Sequence, residues 1–154
     1  MQILRTSNKV ARQADIPDAG HPPTGHRALE PTRFVELVFP DQTNHYGTLF
    51  GGAALSLMGK AAFVAATRRA RRAVVMANSD KVQFHEPVRV GELVELTARV
   101  ERVGRSSMTV AVEVIAETLV TGRRRTAMRG SFEMVAVDEH GRPTPVASLT
   151  PDEV

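Results

Sequence analysis

The stretch Asn44-His45-Tyr46-Gly47-Thr48-Leu49-Phe50-Gly51-Gly52 has the residue types and spacing best suited to chemistry. Asn44 offers an amide and His45 an imidazole, and two glycines follow where the composition turns helical. Ala53 to Thr67 is almost wholly apolar or small, which suits a helix enclosed on most sides. Gly51 and Gly52 then stand at the helix N-terminus, where glycine lets the backbone approach a ligand closely. The free N–H groups and positive dipole end of a first helical turn hold an oxygen anion. Such a loop and helix start suit a developing oxyanion. A plain turn into a core helix would use the same residues, so this stretch does not choose between the two.

The elements that must position these residues follow from the apolar pattern. Thr32 to Phe39 reads as a first strand, stopped by Pro40, which has no N–H for a ladder. The helix runs from about Gly52 to Arg71, with Gly59, Ala62 and Ala66 on one small face that lets a sheet come close. Ala73 to Phe84 reads as a strand interrupted by Asn78, Ser79 and Asp80, polar groups that need partners or water if buried. His85-Glu86-Pro87 opens a turn. In Leu93 to Val103, Leu96, Ala98 and Val100 alternate with Thr97, Arg99 and Glu101. Gly104-Arg105-Ser106 turns the chain into a second alternating strand through Met108, Val110, Val112, Val114 and Ala116. Thr121 to Arg125 is a second turn, and Thr126 to Asp138 the last strand. This order predicts an α+β domain with one helix against an antiparallel sheet. A lone sheet has exposed edges, and pairing two sheets edge to edge removes one edge from each.

Residues 1–30 are poor in periodic apolar positions and carry turn-like Ile16-Pro17-Asp18-Ala19-Gly20 and His21-Pro22-Pro23-Thr24-Gly25. They are expected to form a flexible arm, with the domain at 31–143 and an irregular tail at 144–154. The basic start faintly resembles a transit peptide, but a loose arm is the better account. Hydrophobic content of 42% and charge of 24% in 154 residues fit one soluble globular domain. Without cysteine there is no disulfide, thiolate nucleophile or cysteine zinc site, in keeping with a cytoplasmic protein. No run is long enough to span a membrane. Arg68, Arg69, Arg71 and Arg72 complement the helix dipole, or attract a polyanion. Nucleic acid is not expected, because no binding motif is present and aromatics are few. No metal role is assigned to His21 or His26.

Asn44-x-x-Gly47-x-x-Phe50-Gly51-Gly52 before a small, apolar helix resembles the signature of the acyl-CoA hydrolase branch of the hotdog-fold thioesterases, the brain-type and YciA-type enzymes. Phe84-His85-Glu86-Pro87-Val88-Arg89-Val90-Gly91, Val103-Gly104-Arg105-Ser106-Ser107 and Phe132-Glu133-Met134-Val135-Ala136-Val137-Asp138 match in the same order, so the likeness runs from about Phe34 to Pro143. The resemblance implies a hotdog fold, one long central helix wrapped by an antiparallel sheet of about five strands. It implies hydrolysis of an acyl-CoA to a carboxylic acid and free CoA, with the thioester as substrate and no cofactor or metal. It also implies a homodimer assembling into a trimer of dimers, a hexamer whose sites are shared between subunits.

One departure stands out. In this family the helix carries an Asp at the position held here by Gly59, acting as general base or nucleophile. Glycine inside a helix costs about 1 kcal/mol against alanine, so propensity does not explain it. A small face toward the sheet is one account of Gly59. A lost or moved base, or a deliberate change that traps substrate, is the other, and it implies a reduced activity. The resemblance gives Gly51 and Gly52 N–H groups the oxyanion and lets Asn44 orient water or carbonyl. His45, Asp80 and Glu86 are the candidate replacement bases. Ser79 and its neighbours face a substrate channel or a subunit interface. Arg105, Ser106 and Ser107 bind CoA phosphate or pantetheine, or simply build their turn; Arg123 to Arg125 are a weaker phosphate site. Phe50, Leu55, Met58 and Phe63 line an acyl tunnel or fill the core. The alternatives to a thioesterase are a non-catalytic acyl-CoA binding or sensing protein and a hydratase, whose Asp and His spacing is not seen. The fold hosts all three.

Overall fold

Residues 30–147 are described by a computed structural model, in which one helix crosses a five-stranded sheet. The order is β1 (Thr32–Leu37), a short 3-10 turn (Pro40–Gln42), α1 (Gly51–Ala70), β2 (Val74–Phe84), β3 (Leu93–Val103), β4 (Ser107–Thr118) and β5 (Arg123–Ala136). The expected arm lies almost wholly outside the described residues. The strands pair antiparallel in the order β1-β3-β4-β5-β2. This is the hotdog architecture. The chain leaves one edge of the sheet at β1, passes through α1, and rejoins at the opposite edge as β2.

Alanine makes this crossing possible. Ala54, Ala61, Ala62, Ala65, Ala66 and Ala70 are buried on α1 with Leu57 and Met58. Alanine is the best helix former and lets the helix axis approach the sheet. Against this face lie Leu96 and Ala98 of β3, Val110, Val112 and Ala116 of β4, and Phe132 and Met134 of β5, all buried. The alternation expected in β3 and β4 is therefore the alternation of the core. The helix ends at Arg71, a left-handed residue at φ 51° whose N–H donates to the Thr67 carbonyl at 2.8 Å. Arg68 Nη1 donates to Thr32 Oγ1 and ties the helix end to β1, while Arg69 Nη1 donates to the Ala147 carbonyl.

Four expectations change. Within one chain α1 is covered on one face only; Leu55 and Phe63 are exposed. β1 stops at Leu37, and Val38 instead donates its N–H to the Glu92 carbonyl. Arg123 to Arg125 belong to β5 rather than to a turn, in register with Thr118, Glu117 and Ala116. Two of the three charges are met across the sheet, Arg124 by Glu117 and Glu95 and Arg125 by Glu92, and the run continues the ladder. The turn shrinks to Leu119-Val120-Thr121-Gly122, with Gly122 at φ 72°. The last strand ends at Ala136. Beyond it, Thr144 N–H donates to the Ala136 carbonyl and Val146 N–H to the Arg105 carbonyl, which ties the start of the expected irregular tail to the domain.

β2 is an open edge. Only Val74 is buried in it, and bulges interrupt its pairing with β5 between Met76 and Asn78 and between Asp80 and Gln83. Asn78, Ser79 and Asp80 are exposed, so they do not carry the burial cost their apolar neighbours implied.

Candidate active site

The loop before α1 is a small closed hairpin. Thr43 bridges Leu49, the Asn44 N–H donates to the Thr48 carbonyl at 2.9 Å, and the Gly47 N–H donates to the Asn44 carbonyl at 3.0 Å. Gly47 sits at φ 75°, where glycine is favoured. The Asn44 side chain organises the turn. Its Oδ1 accepts from the Tyr46 N–H at 3.0 Å, the Thr48 N–H at 3.2 Å and the Thr48 hydroxyl at 3.1 Å. Backbone N–H groups only donate, so these bonds fix which end of the amide faces the loop. The Nδ2 end is turned away, and no partner for it is present among the described residues. The amide thus holds the loop with its oxygen and offers N–H donors outward.

That loop feeds the helix start. Phe50 N–H donates to the Gln42 carbonyl at 2.9 Å, and Gln42 is held in turn by Glu36 at 2.8 Å. No side chain caps α1, and its first turn carries no acid. The N–H groups of Gly51, Gly52 and Ala53 have no intrahelical acceptor, as at every helix N-terminus. A Cβ at 52 would lie 2.7 Å from Cε1 of the exposed Phe50 ring, so that ring would have to turn aside. Phe84, at the end of β2, passes 3.9 Å from the Cβ direction of Gly51. Both aromatic rings are exposed, 57% for Phe50 and 53% for Phe84, and flank the bare helix start. Gly59 lies two turns further along, facing β2, with the Met76 methyl 3.0 Å from where its Cβ would be. No carboxylate lies on this face of α1.

The loop is pinned from below by a charge cluster that sequence reasoning missed. Leu49 N–H donates to the Val88 carbonyl at 2.7 Å and Val90 N–H to the Gly47 carbonyl at 3.1 Å, so Glu86–Glu92 backs the site loop. Glu92 is buried and accepts from Arg125 Nη1 at 2.7 Å, Arg125 Nη2 at 2.8 Å, the Thr118 hydroxyl and the Arg89 N–H. Arg125 also donates to the Pro87 carbonyl at 2.8 Å and pairs with Glu86. The Arg125 hydrogen bond, outweighing burial, lowers the Glu92 pKa from 4.5 to about 2. The signal was the run Arg123-Arg124-Arg125; read as a strand, it sends alternate charges to opposite faces.

Comparison with known proteins places this arrangement. Residues 46–122, which span the site loop through β4, match the Thioesterase superfamily. A Bacillus subtilis relative named uncharacterized acyl-CoA thioester hydrolase YkhA is 42% identical over 115 residues, covering 75% of this chain and 67% of its own. The chain belongs to the thioesterase superfamily. An apo-hexameric acyl-CoA thioesterase is similar in structure, with TM-score 0.74 and 40% identity over 80% of this chain and 81% of that one. So is the acyl-CoA hydrolase of Staphylococcus aureus in complex with butyryl coenzyme A, coenzyme A and coenzyme A disulfide, with TM-score 0.73 and 30% identity over 77% and 72%. That enzyme has also been solved with single Asn, Asp and Thr residues changed to alanine.

In this thioesterase-superfamily chain the candidate residues fall into two groups. Phe50, Gly51 and Gly52 form the helix start, and Asn44 lies in the hairpin that leads into it. Ser79 and Asp80 lie on β2 between the points where it passes Gly59 and Gly51. Asp80 Oδ1 accepts the Lys81 N–H at 2.8 Å, at a bulge where Lys81 has φ 50°, so its carboxylate serves the backbone. His45 is exposed and lies against Tyr46, ring centroids 3.9 Å apart, with no acceptor orienting it. Glu86 is committed to Arg125. Arg105, Ser106 and Ser107 are at the other end: their backbone carbonyls accept from Val146, Ala136 and Gly104, next to the start of β2. A 20-residue helix separates that end from Gly51, about 30 Å. Within one chain the two do not form one site. Arg124 and Arg125 are taken by carboxylates and are not free for phosphate. Met58 is core, while Phe50, Leu55 and Phe63 are surface. The apolar gap under the helix start, between Leu49, Leu57, Leu96 and Met128, does not admit a water molecule, so an acyl chain has no room in this chain's own core. Among the described residues no His, Asp or Glu group is arranged for a metal, and no helix is long and apolar enough to cross a membrane.

Proposed function

We propose that this chain hydrolyses acyl-CoA thioesters to a carboxylic acid and free CoA. The observation that carries the reading is the uncapped Gly51-Gly52 helix start beside an Asn44 amide whose donors face outward. The thioester carbonyl sits at this start, where the first-turn N–H groups hold the developing oxyanion. Asn44 Nδ2 donates to the carbonyl or the attacking water. Water oxygen bonds to the carbonyl carbon, the C–S bond breaks, and the water proton passes to the CoA thiolate. The names of the similar enzymes, all acyl-CoA hydrolases or thioesterases, support this substrate class.

The general base is the open position. The Asn, Asp and Thr changed in the Staphylococcus aureus enzyme stand fifteen and seventeen positions apart, the spacing of Asn44, Gly59 and Met76 here. The amide is kept, and the two other polar groups are replaced by a glycine and a thioether. This favours a slow enzyme and supports, as second reading, an acyl-CoA binder.

The assembly supplies what one chain lacks. β2 is an open edge with Val75, Met76 and Phe84 exposed, next to Leu55 and Phe63 of α1. Two copies joined along β2 would cover this surface and remove one edge from each sheet. The hexameric relative supports an assembly of six copies, for which a trimer of such dimers is the arrangement we propose. CoA release from a panel of acyl-CoAs, with and without Gly59→Asp, tests the reading. Release that rises with Gly59→Asp supports a weakened thioesterase. Tight acyl-CoA binding with no release supports the binder. Neither release nor binding overturns both.

A further inference from the structure

Gly59 and Met76 face each other across the gap between α1 and β2. A side chain starting at position 59 would meet the Met76 Cε methyl at 3.0 Å, the one heavy atom within 4 Å apart from the adjoining residues and backbone of the helix itself. A contact this short is tight for a Cβ and asks the methyl to give way by a few tenths of an ångström. Met76 stands on an exposed edge strand, beside the bulge that breaks pairing between Met76 and Asn78. Methionine is unbranched and flexible, and fills irregular gaps. The two positions where this site departs from the polar spacing above are therefore in contact, and the bulk gained at one fills the space lost at the other.

We propose that Gly59 and Met76 are a matched pair, in which the Met76 thioether occupies the place of a working side chain at position 59 and sets the ceiling on turnover. The proposal rests on the thioesterase reading. Its physical content is that a change at either position alone recovers less than the two together. An Asp at 59 facing a methyl gains no hydrogen bond to orient its carboxylate and is desolvated by the thioether, which disfavours its charged form. A Thr at 76 removes that methyl and supplies a hydroxyl that donates to the carboxylate. With both in place, the carboxylate takes a proton from the attacking water, the water oxygen bonds to the carbonyl carbon, the C–S bond breaks, and the proton passes to the CoA thiolate.

Four full-length proteins test the pair: the unaltered chain, Gly59→Asp, Met76→Thr, and the double variant. Each is assayed for CoA release from butyryl-CoA and for CoA binding by calorimetry, with Tm as a check on folding. The expected result is a kcat for the double variant about tenfold above the product of the two single effects, as contacting residues show when they act together, with little change in CoA affinity. The coupling should vanish when Gly59→Asn replaces Gly59→Asp, because the amide matches the carboxylate in size and cannot take the proton. Should Met76→Thr lower the Tm, Met76→Ala removes the same methyl and must still show part of the coupling. Single effects that simply multiply overturn the pairing. So does binding of CoA by all four proteins without release by any. Failure of all four both to bind and to release CoA overturns the thioesterase reading, and the pairing with it.

Discussion

On the proposed mechanism, Asn44 divides one side chain between two tasks. Its oxygen takes three hydrogen bonds from Tyr46 and Thr48, and its nitrogen has no partner among the described residues. Substitution can separate the tasks. Asn44→Asp keeps the accepting oxygen and removes the donor, so the loop should keep its Tm while CoA release falls by about 10²–10³, the scale of losing one oxyanion donor. Asn44→Ala removes both and should lower Tm as well as activity; thermal melts beside the release assay distinguish the two. Gly59 can be read through stability too. Glycine costs about 1 kcal/mol against alanine inside a helix, and the obstacle to a Cβ is the end of a flexible, 45% exposed Met76 side chain. Gly59→Ala should therefore raise stability by up to ~1 kcal/mol in urea unfolding. A fall would mean that the Met76 methyl is held in place.

At the scale of elements, the site loop depends on a clasp it does not touch. Arg125 of β5 grips Glu92 and the Pro87 carbonyl, and the segment between them hydrogen-bonds Gly47 and Leu49. Breaking a buried pair by removing one partner costs about 3–5 kcal/mol, so Arg125→Met should show a loss of that order in denaturant unfolding and a disordered site loop. The clasp also makes stability depend on acid. Glu92 has its pKa lowered from 4.5 to about 2 by the Arg125 hydrogen bond. A carboxylate depressed in the folded state stabilises fully above its unfolded value and loses that stabilisation as pH falls. Stability should thus decline between pH 4.5 and about 2, by roughly 3 kcal/mol from this group. Urea titrations across that range should show the decline in the unaltered chain and its absence in Glu92→Gln, which starts from the lower level.

At the scale of the whole molecule, the exposed face matters more than the core. β2 leaves Val75, Met76 and Phe84 open, and Leu55 and Phe63 of α1 are exposed as well. Unpaired edges invite another strand. A charge near the start of this edge should separate the proposed dimer: Val75→Glu should lower the mass found by light scattering below that of the unaltered protein. CoA release should be lost with it if the site is shared between subunits. A variant that keeps the full oligomer would exclude the β2 edge as the interface.

Much of this protein is legible without coordinates, because its core obeys simple periods. The twofold alternation of Leu96 and Ala98, and of Met108 to Ala116, is the alternation of buried and open positions. The alanine-rich run after Gly52 is the helix, whose small residues admit the sheet. The Asn44-to-Gly52 pattern pointed to the helix start, since a glycine pair before a helix leaves backbone donors uncovered. Long-range pairing is a different matter, because no local pattern records which charge meets which. Arg125 and Glu92 are thirty-three residues apart, and only folding brings them together as the clasp under the site loop. The same holds for Arg105 to Ser107, which local spacing could not place at the far end of the helix. It holds also for Met76, whose methyl fills the space before Gly59 because β2 returns along α1 at that height. Local sequence determined the elements and singled out the loop that leads into the helix start. Tertiary structure decided what those residues touch, because contact depends on strand register and helix crossing, which the sheet sets as a whole.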